Sequence, residues 1–449
     1  MENRRRLFVA SCAALVANAM AFSICTDIMG DFARVFDLSL AEVGAAVSWG
    51  AVFGIAVQFL GGAILDFIGV GTALWLACAA HVAGIAAVIC ARGFWSLTAG
   101  WLFFAIASNL VEASINPLAA TMYPDRKTHI LNVLHAWWPG GLIIGGLAAY
   151  GFSALLKAVD APERVVAASW QIKMGFVLVP VVFYALLLLG QRFPQTERVQ
   201  AGVPTKDMFR EALRPMFLLL VFCMFLTASV ELGPNRWVGV FIQDMIGMRG
   251  VLLLVYTSGL MFVLRFFAGP LAKRITPLGI LLASSVLSGV GLLWLSYSRT
   301  AVTVFLAATV FGVGVTYFWP TMLGVTSERF PRGGAFLLGM MGAAGGLFLS
   351  YVTVPGMGLL HDRFTIKHLS PAVAAKVVEG GRVSEEKVKA LSKEEAREVE
   401  EARRVAASTT FRVVAGLAAV LFVIFGAMLL RDVARGGYRQ EVLARPPGG

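Results

Sequence analysis

The chain has 449 residues, of which 58% are hydrophobic and only 14% charged, and its formal net charge is +11. Soluble domains carry about a quarter charged residues, so this composition excludes an ordinary soluble globular protein. The apolar residues form twelve blocks, each long enough to cross a bilayer as a helix. We therefore predict an all-α membrane protein whose spans lie at 8–29, 42–65, 72–91, 95–121, 131–156, 171–190, 214–242, 250–272, 277–297, 300–323, 334–360 and 409–430.

The basic excess lies on one side of the predicted membrane. Segments on the same side as the N-terminus are rich in Lys and Arg, as at 4–6, 126–127, 192–214 and 431–445, whereas the short loops on the other side hold few. By the positive-inside rule, this asymmetry predicts a multi-pass protein of an inner (plasma) membrane with both termini in the cytoplasm. The charge reflects topology, so we expect a lipid bilayer and no nucleic acid as partner.

The cysteines and the motif content argue against redox, metal or enzymatic chemistry. The five cysteines lie within or at the ends of apolar spans without a C-x-x-C spacing, which predicts buried free thiols: Cys12, Cys25, Cys78, Cys90 and Cys223. We find no nucleophile–base set, metal-ligand spacing or phosphate loop. The sequence therefore predicts neither an enzyme nor a bound cofactor or metal.

The chain consists of two halves that resemble each other. A polar stretch separates six spans from six, and Asn116-Pro117 in span 4 stands where Trp319-Pro320 stands in span 10. Because corresponding spans run in the same direction, the halves are parallel repeats, an architecture similar to that of the major facilitator superfamily. We predict two six-helix bundles at 1–190 and 214–449, joined by a cytoplasmic linker at 191–213.

A charged segment at 361–408 interrupts this symmetry between spans 11 and 12. Its acidic and basic residues alternate in stretches that favour helix, such as 384–389. Such mixed charge is typical of solvated helices, which we expect on the outer face. The segment is either a surface insertion without transport chemistry or a lid or partner site.

Residues 62–69, at the end of span 2, resemble the superfamily's loop signature G-x-L-a-D-r-x-G-r-k, with Asp66 at the acidic position. The basic positions of the signature hold Phe67, Val70 and Gly71 instead. The substitutions argue against the gating ion pair of the signature, and the alternative is a glycine-rich turn in which Asp66 only caps the next helix.

Span 4 contains a carboxylate and an amide at membrane depth. An ionisable side chain there costs about 2.5–3.5 kcal/mol, so such a residue is a functional candidate. Glu112 and Asn116 are four residues apart and therefore share one helix face. Burial disfavours the charged form of a carboxylic acid, so Glu112 can gain and lose a proton as access to water changes.

A narrower resemblance includes this pair. Residues 112–117 resemble the E-x-x-x-N-P of the fucose–galactose–glucose:proton symporter family, and 131–141 resemble its L-N-x-x-Q-x-F-x-x-x-G, with His135 at the glutamine. Asp27 matches the acidic residue of the family's N-D-I motif in span 1. The resemblance implies that Glu112 and Asp27 carry the proton and contact the sugar, although Asp27 is also compatible with an interfacial role.

Span 7 repeats this constellation in the second half. Glu231 and Asn235 are again four residues apart, and the intervening Gly233-Pro234 predicts a kink. Arg236 is a candidate to neutralise Glu231 as a structural pair. Arg265, at the end of span 8, is expected to anchor the cytoplasmic end of that span rather than bind substrate.

The predicted substrate contacts are amides, aromatic rings and one carboxylate of spans 4, 5, 7 and 10. Aromatic rings suit the C–H faces of sugars, and neutral His both donates and accepts. A lone histidine in an apolar span is also often structural, and adjacent tryptophans cannot share a face. The candidates are Asn116, Asn132, His135, Trp137, Trp138, Glu231, Asn235, Trp237 and Trp319.

Together these features predict a monomeric secondary transporter that couples protons to uptake of a hexose or deoxyhexose. Two alternatives stay open. One is a facilitator or exporter of another small organic solute, which a wider and more apolar cavity would favour. The other is a non-transporting membrane receptor whose segment 361–408 binds a partner.

Overall fold

The computed structural model describes residues 3–248 and 250–443, which are almost entirely helical. The α-helices are α1 Arg4–Val35, α2 Leu40–Ile68, α3 Val70–Ile89, α4 Phe94–Met122, α5 Lys127–Ala158, α6 Glu163–Ala167, α7 Ser169–Gly175, α8 Leu178–Leu188, α9 Glu197–Gln200, α10 Thr205–Ala212, α11 Pro215–Ile246, α12 Val251–Arg265, α13 Ala268–Tyr297, α14 Ala301–Val315, α15 Phe318–Arg329, α16 Gly334–Phe348, α17 Val354–Lys367, α18 Pro371–Val377, α19 Glu385–Val388 and α20 Lys393–Ala434. Two 3₁₀ turns (Pro124–Arg126, Pro331–Gly333), a π-helical turn (Leu349–Thr353) and an antiparallel pair, β1 Val378–Glu379 and β2 Arg382–Val383, complete the described elements.

Within residues 3–248 and 250–443, eleven helical stretches are long and apolar enough to cross a membrane, and Leu252–Arg265 is a shorter apolar helix. The predicted eighth span, 250–272, is therefore broken. Helix α12 ends at Arg265, and α13 begins at Ala268 and bends at Thr276, whose φ is 64°. Pro277 disfavours a helical conformation for the residue before it, which explains the bend.

Helices α1–α8 form the first helix group. Helix α1 packs along α5 and α8, and α4 packs against α2 and α3. His81 ties this core together, because its two ring nitrogens lie 3.0 Å from Asn18 Oδ1 and 3.0 Å from the Tyr184 hydroxyl. All three side chains are buried, so the polar triad is satisfied within an apolar core.

Helices α11–α20 form the second helix group. Helix α13 packs against α14 and α20, and α11 packs against α16 and α20.

The five cysteines are free as predicted, but Cys90, at the end of α3 in the first group, is exposed rather than buried. The apolar run around it ends there because the chain turns before α4.

The two groups meet along α2 with α16 and along α5 with α12 and α15. Glycines permit the first of these approaches. A Cβ at Gly62 would lie 2.7 Å from the Ala335 carbonyl oxygen, and one at Gly342 would lie 2.2 Å from Gln58 Nε2. Small residues let helix backbones approach closely where no hydrophobic effect drives association.

We call the end of the bundle that carries Asn3, Pro124, Arg198, Glu328 and Tyr438 the terminal face. Asp66 lies there and accepts hydrogen bonds from Thr196 and from Arg198 Nε, the latter at 2.7 Å. The loop signature therefore does form an ion pair, and its basic partner comes from the segment 191–213. The sequence interpretation that Asp66 only caps a helix is wrong.

Glu328, at the end of α15, joins both helix groups on the terminal face. Its Oε1 accepts from the Thr128 backbone N–H at 3.0 Å and hydroxyl at 2.8 Å, at the start of α5. Its Oε2 accepts from the Tyr438 hydroxyl at 2.6 Å. Burial and the neighbouring carboxylate raise the pKa of Tyr438, so this hydroxyl stays a donor at neutral pH.

The C-terminal tail extends this junction across the terminal face. Gln440 Nε2 donates to the Pro124 carbonyl oxygen at 2.7 Å, and the Glu441 N–H donates to the Glu328 carbonyl oxygen at 2.8 Å. Lys127, which is fully buried, donates to Glu197 Oε2 at 2.5 Å and to the Ser327 carbonyl oxygen at 3.1 Å. Both groups and the tail are thus held together at this end.

The segment 361–408 folds at the opposite end of the bundle. Besides the predicted helices it forms the β1–β2 hairpin, and α20 continues from this segment into the twelfth predicted span. A small apolar core of its own joins these pieces: Leu369, Val373, Val377, Val399 and Ala402. The mixed charge is therefore the solvated side of a compact unit.

We expect Glu328→Gln to loosen closure of the terminal face. The substitution keeps the shape but weakens the hydrogen bonds from Thr128, because bonds to a charged group contribute about 1.5–3 kcal/mol. We would place spin labels at Asp125→Cys and Arg332→Cys in a chain without its native cysteines. Double electron–electron resonance should report a longer and broader distribution of the distance between the two labels. Glu386→Gln, in the opposite segment, is the control, and an unchanged distribution in Glu328→Gln contradicts the prediction.

Candidate functional site

Glu112 and Asn116 point into the protein from α4. Asn116 Nδ2 donates to Glu112 Oε2 at 3.1 Å and to the Glu112 carbonyl oxygen at 2.9 Å. Asn116 is buried and Glu112 is half-buried. Within the described ranges, no Lys or Arg lies within salt-bridge distance of Glu112, so its only side-chain partner is a neutral amide.

His135 of α5 continues the chain of contacts. Its Nε2 lies 2.9 Å from Asn116 Oδ1. Because the amide nitrogen of Asn116 already donates to Glu112, the amide oxygen must accept here, and His135 carries its hydrogen on Nε2. The position that resembles the family's glutamine is thus occupied by a side chain that donates to Asn116.

Arg265 joins this chain of contacts to the second group. Its Nη1 donates to the His135 carbonyl oxygen at 2.7 Å, its Nε donates to the Thr316 carbonyl oxygen at 2.7 Å, and its Nη2 donates to Glu231 Oε1 at 3.0 Å. The residue is only 3% exposed. We call Glu112, Asn116, His135, Arg265 and Glu231 the central network.

Two sequence interpretations are therefore wrong. Arg265 is the last residue of α12, but it lies buried against α5, α11 and the end of α14. It therefore does not anchor the cytoplasmic end of a span. Arg236 does not neutralise Glu231. Five residues along a helix correspond to a rotation of about 140°, so Arg236 points away from the carboxylate.

Glu231 is held by more partners than Glu112 is. Besides the ion pair with Arg265, its Oε2 accepts from the Trp319 backbone N–H at 3.2 Å. The carboxylates of spans 4 and 7 thus differ, since Glu231 faces a cation and Glu112 faces an amide.

Asn132 lies one turn before His135 and also bridges the groups. Its Nδ2 donates to the Thr128 carbonyl oxygen at 2.8 Å and to Thr321 Oγ1 of α15 at 3.1 Å. Its Oδ1 is buried and has no hydrogen-bond partner in the structure. A buried acceptor without a partner is a candidate contact for a solute or for water.

Asp27 lies apart from Glu112 in its contacts. Lys173 Nζ donates to Asp27 Oδ2 at 2.6 Å, and the Asp27 side chain is 39% exposed. The structure therefore gives this carboxylate a cation partner in α7 and does not join it to the central network. The interfacial alternative for Asp27 fits this geometry.

The predicted aromatic contacts separate into two sets. The ring centroids of Trp137 and Phe262 of α12 lie 5.6 Å apart in an edge-on arrangement, and those of Trp138 and Phe22 lie 6.2 Å apart. Trp319 donates its backbone N–H to Glu231. Trp237 instead donates from Nε1 to the Val354 carbonyl oxygen at 3.0 Å and stacks on Phe241. Its ring packs between α11 and α17 and is not joined to the central network.

Asn235 and Arg236 follow Gly233-Pro234 in α11, which runs as one helix from Pro215 to Ile246. Asn235 is half-buried, whereas Arg236 is exposed and its guanidinium lies 4.2 Å from the centre of the Phe22 ring.

Within the described residues, no group of three or more His, Cys, Asp or Glu is placed to hold a metal. The site thus consists of amides, aromatic rings and charges from both helix groups.

Arg265 was not predicted to be a central residue, although its position in the sequence carried a signal. Arg265 falls inside the predicted span 250–272, and an arginine at membrane depth is a functional candidate for the same reason as Glu112. Lys173 carries the same signal within the predicted span 171–190. Thr321 and Glu328 carry no such signal in the sequence, because their roles depend on contacts with the other helix group.

Comparisons with known proteins agree with this architecture. The chain is structurally similar to the fucose:proton symporter FucP of E. coli, with a TM-score of 0.67 and 16% identity over 92% of this chain and 98% of that one. It is similar to the proton:xylose symporter XylE, at 0.67 and 9% over 95% and 96%. The human organic anion transporter MFSD10 is also similar, at 0.62 and 13% over 94% and 99%.

No match was found among curated proteins. The family model for the Major Facilitator Superfamily matches residues 7–358, which is most of the chain. The predicted fold class, an all-α membrane protein of the major facilitator type, is confirmed. This protein is a multi-pass membrane transporter that belongs to the Major Facilitator Superfamily.

Proposed function

We propose that this transporter couples protons to the movement of a sugar by alternating access. The observation that carries the proposal is the contrast between two carboxylates of the central network. Glu231 is paired with Arg265, whereas Glu112 contacts only the amide of Asn116. A carboxylate inside a membrane protein without a cation partner is suited to bind and release a proton.

The central network gives protonation of Glu112 a route to the second helix group. A proton on Glu112 weakens the hydrogen bond that its carboxylate accepts from Asn116 Nδ2, and Asn116 Oδ1 in turn accepts from the ring of His135. The carbonyl of His135 binds Arg265, which binds Glu231. Protonation in the first group therefore alters contacts that hold the two groups together, as coupling requires.

The terminal face supplies the closed gate of one access state. Its hydrogen bonds join α5, α15, the segment 191–213 and the C-terminal tail. We propose that this face is cytoplasmic, as the Lys and Arg distribution predicts, and that the chain resides in an inner or plasma membrane. Residues 1–190 and 214–449 would then rock as two bodies around 191–213, in a protein that works as a monomer.

The sugar part of the proposal rests on the polar groups between the helix groups. Asn132 has a free buried acceptor, and Asn116, His135, Trp137 and Trp138 provide amide, imidazole and aromatic surfaces. Sugar sites combine such hydrogen-bonding groups with flat apolar rings. Two of the similar structures are named as symporters of fucose and xylose with protons, which supports the same class here.

Glu112→Gln should uncouple transport. Glutamine keeps the size and hydrogen bonding of the neutral acid but cannot release a proton. In proteoliposomes the variant should still exchange labelled solute, while its pH-driven accumulation ratio falls to about one. Glu163→Gln, an exposed carboxylate in α6, is the matched control. Uphill accumulation by Glu112→Gln at the native level would show that another group carries the proton.

Glu231 and Arg265 should depend on each other for stability. Removing one partner of a buried ion pair leaves an unpaired charge and costs about 3–5 kcal/mol. Glu231→Gln and Arg265→Gln should each lower the melting temperature strongly, and the double variant should recover part of the loss. Thermal unfolding in detergent measures all three. If the two single effects simply add in the double variant, the pair is not coupled as described.

A further inference from the structure

Arg236 is a charged side chain to which no other part of the proposed mechanism assigns a role. It belongs to α11 of the second group, directly after Gly233-Pro234 and Asn235. Its guanidinium lies 4.2 Å from the ring centre of Phe22 in α1, so it reaches across to the first group. The side chain is exposed rather than enclosed.

Two other basic residues, both buried, have acidic partners. Arg265 is paired with Glu231 at 3.0 Å, and Lys173 is paired with Asp27 at 2.6 Å. Across residues 3–248 and 250–443, no carboxylate lies within salt-bridge distance of Arg236. Its positive charge is therefore balanced only by the face of an aromatic ring, which is a weak counter-charge.

The groups around Arg236 would suit a hydroxylated solute. Phe22 supplies an aromatic face, Trp138 lies 6.2 Å from Phe22, and Asn235 is the neighbouring amide. These side chains come from α1, α5 and α11, so both helix groups contribute. A guanidinium presents N–H donors in a planar fork that binds a carboxylate through two parallel hydrogen bonds.

We propose that the transported solute is a sugar acid with one carboxylate, which Arg236 binds as its counter-ion. This inference rests on the proposed function and narrows its substrate class. The charge count favours a monoanion over a phosphate dianion, because Arg265 and Lys173 are already neutralised within the protein. One proton on Glu112 and one carboxylate on Arg236 add no net charge to the loaded transporter.

Binding to the purified full-length chain tests the carboxylate directly. Glucuronate, galacturonate and gluconate should bind at least about tenfold more tightly than glucose, galactose or fucose by calorimetry, and glucose 6-phosphate should bind weakly. Arg236→Gln should weaken sugar-acid binding by about ten- to a hundredfold, and Arg236→Lys should lose less. Arg299→Gln, an exposed arginine in the loop before α14, is the matched control and should bind normally.

Transport separates this inference from the proposed function. Proton-driven uptake of a sugar acid moves no net charge and should be insensitive to an imposed membrane potential. Uptake of a neutral sugar with a proton moves one positive charge and should be accelerated by a potential that is negative inside. Proton-coupled uptake of neutral sugars, unchanged in Arg236→Gln, overturns the anion site and leaves the proposed function intact. Arg236-dependent binding of sugar acids without proton-coupled uptake overturns the coupling and keeps the anion site. If no sugar acid binds while Arg236→Gln unfolds at the native temperature, the inference is wrong.

Discussion

The arrangement of the two helix groups depends on the need to satisfy one buried guanidinium. Inside a bilayer, an arginine without partners is costly, and no water is available to replace them. Arg265 meets this constraint with three acceptors from separate parts of the chain, at His135, Thr316 and Glu231. Because these acceptors lie in both helix groups, satisfying the charge also sets how the groups meet at the centre of the protein.

Closure of the terminal face depends on a carboxylate in a comparable way. Glu328 collects donors from Thr128 in one group and from Tyr438 in the C-terminal tail. The protein is thus held at two levels, by the Arg265–Glu231 ion pair at the centre and by the hydrogen bonds and ion pairs of the terminal face. A change of access must release the terminal junction, whereas the central contacts can rearrange within one network.

Much of the fold could be predicted from the sequence because the bilayer imposes a local rule. Apolar blocks of sufficient length became helices, and the inward position of Glu112 followed from the cost of exposing it to lipid. The break after Arg265 and its pairing with Glu231 could not be predicted, because both depend on which helices are neighbours. The partner of Asp66, Arg198, lies far along the chain for the same reason.

The pairing of charges also shows why two residues stand out. Asp27, Asp66 and Glu231 each have a basic partner, and those pairs cancel within the protein. Glu112 and Arg236 have opposite charges but belong to different helix groups and do not pair with each other. In the proposed mechanism each is completed from outside the protein, Glu112 by a proton and Arg236 by an anionic solute. These two charges are neutralised only when a proton is bound to Glu112 and an anionic solute is bound to Arg236. Loading of the transporter is thereby linked to the loss of charge that favours closure away from water.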